Sequence, residues 1–190
     1  MKIIGSVGKN GSGKDEVLKH IRTAYGIPFY STGDMVREIA AREGIEPTRE
    51  NLGAISKRYF DDMGEGCFIR LLADRIRDEH PTAVGISGVR SLADVTVLKS
   101  VFGGDCVLVN VEVSYSRLRF ERLAGRGEER DPESFEQFLE QENREEELFH
   151  IEEAQDMADF TILNNGTLDD LHEAIDHLIR EKNLLGFIPE

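Results

Sequence analysis

Cysteine is scarce in this chain. Cys67 and Cys106 are the two present, and they stand far apart. That excludes a disulfide-stapled scaffold and any zinc site built on paired cysteines. They read as reduced core thiols of a cytosolic protein. Long apolar runs are missing too; none approaches the length that crosses a bilayer. Met1-Lys2 leads directly into an apolar strand, without the stretch and cleavage pattern of an export signal, so a cytoplasmic location is expected. Positive charge is short: 23 Lys and Arg stand against 37 Asp and Glu, a net charge of −14. A general nucleic-acid binder needs a basic surface, so neither nucleic acid nor membrane is expected as a partner. Of the histidines His20, His80, His150, His172 and His177, none pairs at i, i+4, and they read as surface or structural residues. The Asn-Lys-x-Asp guanine signature is absent, which disfavours a GTPase switch. There is no repeat or low-complexity tract.

What the 190 residues do contain is a glycine-rich string, Gly8-Lys9-Asn10-Gly11-Ser12-Gly13-Lys14-Asp15. It follows the apolar run Ile3-Ile4-Gly5-Ser6-Val7 and precedes Val17, Leu18 and Ile21, the spacing of one helix face. G-x-x-x-x-G-K between a strand and a helix start is a phosphate-binding loop. Glycines let backbone amides turn inward on an anion, the helix adds unpaired N–H groups, and Lys14 reaches the outer phosphates. Gly8, Asn10, Gly11, Ser12, Gly13, Lys14 and Asp15 are therefore the candidate ATP-binding residues. The usual Ser or Thr after the lysine, which holds Mg²⁺, is Asp15 here. A carboxylate is also a hard oxygen ligand, so Asp15 is the candidate metal residue; a first-turn acid favoured by the helix dipole is the alternative.

Further along, strand patterns at 27–32, 82–87, 106–113 and 159–163 alternate with helical ones. That alternation predicts parallel βαβ units with helices on both faces, and ligands beyond the carboxyl ends of the strands. The chain length fits one such domain. An arginine-dense stretch, Arg117, Arg119, Arg122, Arg126 and Arg130, follows the fourth strand. Arg117 and Arg119 read as solvent-facing. A long acidic helix then begins near Pro132, with Glu145-Glu146-Glu147 as a solvated face.

Several strings carry a resemblance. Ser31-Thr32-Gly33-Asp34-Met35-Val36-Arg37 resembles the acceptor-binding segment of adenylate kinase and related nucleoside monophosphate kinases, which implies that Thr32 lies against an acceptor base and Arg37 grips its phosphate, with Asp34 beside them. A guanidinium suits that task because it pairs a phosphate through parallel hydrogen bonds. Ser87-Gly88-Val89-Arg90 resembles the same family's Asp-Gly-x-(Pro)-Arg turn; Arg90 matches as a phosphate ligand, whereas Ser87 stands where the family has an acid that orders metal waters. Asp94 falls where adenylate kinase reads the base; an acid there favours an amino or imino group, and a surface helix Asp is the alternative. The arginine stretch resembles the superfamily's lid, implying catalytic roles for Arg122 and Arg126, with Arg130 third. Asn164-Asn165-Gly166-Thr167 resembles the base loop of dephospho-CoA kinase, implying Asn164 and Gly166 against adenine.

End to end, the order and spacing resemble a mainly archaeal family of P-loop kinase-like proteins. The resemblance implies a three-layer α/β/α P-loop NTPase fold with a five-stranded parallel sheet, acceptor-binding helices at about 31–80 and a short lid at about 117–132. It implies ATP and Mg²⁺ as cofactors and a phosphorylated small molecule as acceptor. A nucleoside monophosphate comes first, dephospho-CoA second, and a nucleotide-binding switch without kinase turnover is the rival. A monomer or homodimer is expected.

Overall fold

A computed structural model describes residues 1–127 and 131–186; Arg130 lies outside the described residues. Five parallel strands form one sheet in the order β2-β3-β1-β4-β5. They are β1 (Lys2–Val7), β2 (Phe29–Ser31), β3 (Ala83–Ser87), β4 (Cys106–Glu112) and β5 (Phe160–Leu163). The helices between them are α1 (Lys14–Tyr25), α2 (Thr32–Glu43), α3 (Arg49–Met63), α4 (Cys67–Glu79), α5 (Leu92–Phe102), α6 (Ser116–Arg126), α7 (Phe135–Phe149), α8 (Ile151–Asp156) and α9 (Leu168–Lys182).

β1 is the central strand, with Ile3 beside both Val84 of β3 and Cys106 of β4. Side chains alternate across a strand, so neighbouring residues feed different cores. Ile3 and Val7 join Met35, Ile39, Leu72, Ile76, Leu98 and Leu108 under α2, α4 and α5. Ile4 joins Val17, Leu18, Ile21, Val109, Ile162 and Ile175 under α1 and α9. Near-continuous apolar strands are what a sheet covered on both faces requires, and burying one such side chain contributes about 2 kcal/mol. Cys67 and Cys106 are free and buried in the first core. Burial, with Asp159 nearby, pushes the Cys106 thiol up to about 12.

The sheet topology also positions the site. From β1 the chain runs outward to β2 and returns through β3, then crosses to β4 and β5 on the other side. Neighbouring strands whose connections leave in opposite directions open a crevice at their carboxyl ends. The loop between β1 and α1 spans residues 8–13 in that crevice.

The acidic helix expected to begin near Pro132 starts at Phe135 and ends at Phe149, where His150 adopts a left-handed backbone (φ 51°) and α8 starts afresh. Two of the histidines have a structural place: His20 on α1 and His172 on α9 stack with ring centroids 4.1 Å apart. No helix among the described residues is long and apolar enough to cross a membrane.

Candidate active site

The glycine loop is shaped by close neighbours as well as by its own freedom. Gly11 (φ 77°) faces the Arg119 carbonyl, which an added Cβ would meet at 2.6 Å. Gly13 (φ 94°) caps α1, and a Cβ there would meet the Asn164 amide nitrogen at 2.7 Å. No larger residue fits either position without strain. Gly13 offers no side-chain cap to the first turn of α1, where Glu16 N–H donates to the Gly13 carbonyl at 3.0 Å.

Lys14 is 7% exposed, yet no hydrogen bond or ion pair holds it among the described residues. Burial lowers its pKa; Asp15 and Glu145 oppose the shift, while Arg90 and Arg126 reinforce it. The loop lysine, Arg90 from the turn after β3 and Arg126 from the end of α6 thus share one electrostatic neighbourhood. A buried, unpaired ammonium among arginines is costly until an anion arrives.

Asp15 and Ser87 meet directly. The Ser87 hydroxyl donates to Asp15 Oδ1 at 2.9 Å, joining the start of α1 to the end of β3. The carboxylate and the hydroxyl have exchanged places relative to the Lys-Ser/Thr loop and Asp-containing turn of the family resembled, and the same two groups face each other. A hydroxyl and a carboxylate are hard oxygen donors, the chemistry Mg²⁺ accepts alongside phosphate oxygens. No cluster of three or more His, Cys, Asp or Glu capable of caging an ion alone occurs among the described residues.

The remaining candidates fall into two groups. Asn164 is buried, and its side-chain amide donates to the Ser12 carbonyl at 2.8 Å. Arg122 donates to the carbonyls of Asn164 (3.0 Å) and Gly166 (2.9 Å), so it braces the base loop from α6. Arg126 pairs with Asp131, five residues further along the chain. On the other side, Thr32 donates to the Gly88 carbonyl at 3.2 Å, linking the start of α2 to the turn that carries Arg90. Arg37 and Asp34 pair with each other at 2.7 Å on an exposed face of α2. The Asp94 carboxylate accepts from the backbone N–H of Arg90 and Ser91, both at 3.1 Å, within the capping box of α5. Oδ2 is thereby spent on the turn, and burial raises the Asp94 pKa in spite of these bonds.

Sequence reasoning misjudged the back of the loop. Arg119, expected to face solvent, is buried: it donates to the Asn10 carbonyl at 3.3 Å, pairs with Glu142 and lies 5.2 Å from the Phe138 ring centroid. Glu145, expected on a solvated face, binds the Asn10 amide with both oxygens at 2.8 Å. Lys9 pairs with Glu152 of α8 at 2.7 Å. A signal was present: Glu142 and Glu145 follow buried Phe138 by four and seven positions, on the same helical stripe, and Arg119 precedes buried Leu123 by four. Beyond Lys9 and Ser12, a cavity of about 540 Å³ opens between α8 and the ends of β4 and β5, apart from Lys14 and Asp15.

The sequence matches the family described as "AAA domain" over residues 7–138. It is 33% identical to the UPF0200 protein of Thermococcus onnurineus, over 94% of this chain and 97% of that one. It is 36% identical to the UPF0200 protein of Pyrococcus horikoshii, over 93% and 95%. With the UPF0200/UPF0201 protein of Archaeoglobus fulgidus it is 37% identical, and there the chain spans 55% of the relative's length. Among solved structures, the shikimate kinase of Acinetobacter baumannii aligns over 97% of this chain and 96% of its own, with a TM-score of 0.56 at 18% identity. A gluconokinase from Sinorhizobium meliloti aligns over 96% and 95%, with a TM-score of 0.58 at 18% identity. The fold is that of the P-loop kinases, and the chain belongs to the UPF0200 family.

Proposed function

We propose that this protein transfers the γ-phosphoryl group of ATP, with Mg²⁺, to a small phosphorylated acceptor. The observation that carries the reading is Lys14: a buried ammonium held by no hydrogen bond or ion pair among the described residues, at the end of the glycine loop that joins β1 to α1. The residues present suit the donor. The loop amides and the first turn of α1 would hold its phosphates, and Asn164, Gly166 and Arg122 would border its base. Asp15, oriented by the Ser87 hydroxyl, would hold the metal, which when bound draws charge from the phosphate oxygens.

The chain's own groups then supply positioning and charge neutralisation, the main needs of phosphoryl transfer. Lys14 stabilises negative charge on the migrating group, and Arg126 approaches from the lid side. Arg90, held by Asp94, faces the same point from the acceptor side, while Thr32 and Arg37 lie further out along α2. A phosphate entering there would draw Arg37 away from Asp34. These arginines favour an acceptor that carries a phosphate, with a nucleoside monophosphate first. Dephospho-CoA is the second reading, supported by the Asn164–Thr167 loop resemblance.

The test is ADP release from Mg·ATP with a panel of nucleoside monophosphates and dephospho-CoA. Stimulation by a monophosphate supports the first reading, and stimulation by dephospho-CoA alone moves the assignment to the second. Tight ATP binding with no stimulation by any acceptor would leave a nucleotide-dependent switch in place of a kinase.

A further inference from the structure

Glu145 presents a carboxylate to a loop designed for anions. Its oxygens both lie 2.8 Å from the Asn10 side-chain nitrogen. The Asn10 carbonyl is gripped in turn by Arg119, whose charge is already matched by Glu142. Glu145 also lies close enough to Lys14 to favour its charged form. The space between the loop and α7 is about 20 Å³, lined by Asn10, Arg119, Phe138, Glu142 and Glu145.

A triphosphate seated on Lys14 comes under this carboxylate as well as under Asp15. Asp15 is matched to a metal. Glu145 has no such partner, and it repels whatever negative charge the metal leaves uncancelled. Metal-free ATP carries more negative charge than its magnesium complex, so the penalty falls mostly on the free nucleotide. We infer that Glu145 is a specificity-determining residue that makes the donor site discriminate magnesium-complexed nucleotide from metal-free nucleotide. The inference rests on the donor reading given above and adds a role for α7, an element outside the phosphate loop.

The experiment is calorimetric titration of the whole chain with ATP, once with excess Mg²⁺ and once with EDTA, giving a ratio of dissociation constants. Glu145→Gln keeps an acceptor for Asn10 and removes the charge. The ratio should fall about tenfold in that variant, chiefly through tighter binding of free ATP. Glu145→Asp should keep the wild-type ratio, and so should Glu147→Gln, which neutralises an exposed acid on the same helix. Circular dichroism checks folding; should the Gln variant not fold, Glu145→Ala carries the same expectation. A wild-type ratio in the neutral variants, or an equal fall in Glu147→Gln, overturns the inference while leaving the donor site standing. A wild-type chain that fails to bind Mg·ATP at all removes the donor reading and this inference together.

Discussion

The two sides of the crevice are built differently. On the donor side the loop is tied to distant parts of the chain: Asn10 to Glu145, Lys9 to Glu152, Ser12 to Asn164, and the base loop to Arg122. On the acceptor side the charged pairs lie at the surface and two of them are local: Arg37 with Asp34 three residues away and Lys57 with Asp61 four away, while Arg58 reaches Glu43 on α2 and Arg75 of α4 reaches Glu38 of α2. Long-range bonds fix geometry before a ligand arrives. Local exposed pairs contribute little and separate easily. On the proposed function, the donor half would be held in place before ligand arrives, and the exposed pairs Arg37–Asp34 and Lys57–Asp61 would open to admit the acceptor.

The strongest way to break this contrast is to remove its centre. Lys14→Met should cut turnover by about 10²–10³-fold, the usual loss for one preorganised charge at a developing oxyanion. Stability should hold, because a buried unpaired ammonium is replaced by an apolar chain of similar length. Turnover measured under saturating substrates, with a thermal melt alongside, checks both halves. A rate near wild type would remove the lysine from the chemistry.

Next comes the exchanged pair. Asp15→Ala should weaken Mg²⁺ dependence and lower activity by about 10- to 100-fold, the scale seen when a metal's close support is lost. The sharper form is reciprocal: Asp15→Ser combined with Ser87→Asp restores the arrangement of the family resembled, and should recover activity that either single change loses. Metal titration of the rate for all three variants decides it. Failure of the double variant to exceed its parents would mean the Asp15–Ser87 contact only fastens α1 to β3.

Across the crevice, Arg90→Ala should raise the acceptor KM by about tenfold or more while leaving the ATP Kd near wild type, since an exposed charge-assisted phosphate contact is worth one to a few kcal/mol, roughly 1.5–3. Arg37→Ala should do less, because Asp34 already competes for that guanidinium. An equal effect of both on ATP binding would erase the distinction between the donor and acceptor halves.

How much of this was legible in the sequence follows the same division. The loop was readable because its chemistry is local: glycines at fixed offsets, then a lysine, between a strand and a helix. The parallel sheet was readable from alternating strand and helix patterns. The Asp15–Ser87 contact joins positions 72 apart, and Asn10–Glu145 joins positions 135 apart; spacing along a chain carries no register for such pairs. The break at His150 escaped notice because a left-handed residue is normally announced by glycine or asparagine. Arg119 and Glu145 were misplaced by weighting charge over periodicity, although both lie on stripes with buried Leu123 and Phe138.

The contrast extends to the back of the donor half, where α1 meets α9 and the effects are smallest. Asp176 accepts from Tyr25 at 2.8 Å and contacts His20 Nε2 at 2.7 Å. Burial pushes its pKa up, but the hydrogen bonds from His20 and Tyr25, with Arg180 nearby, outweigh burial and hold it below the usual carboxylate value. A carboxylate depressed by folding stabilises above its unfolded pKa, and that contribution fades as pH falls through the lower folded value. Asp176→Asn should therefore cost about 1 kcal/mol near neutral pH, as expected for hydrogen bonds to a charged group that is partly solvated. The gap between wild type and variant should narrow below about pH 4, where the unfolded carboxylate protonates. Urea titrations across that range measure it. A gap that persists unchanged into acid would mean that α9 is held on α1 by the apolar contacts of Leu171, Ile175 and Ile179, with no share from Asp176 ionisation.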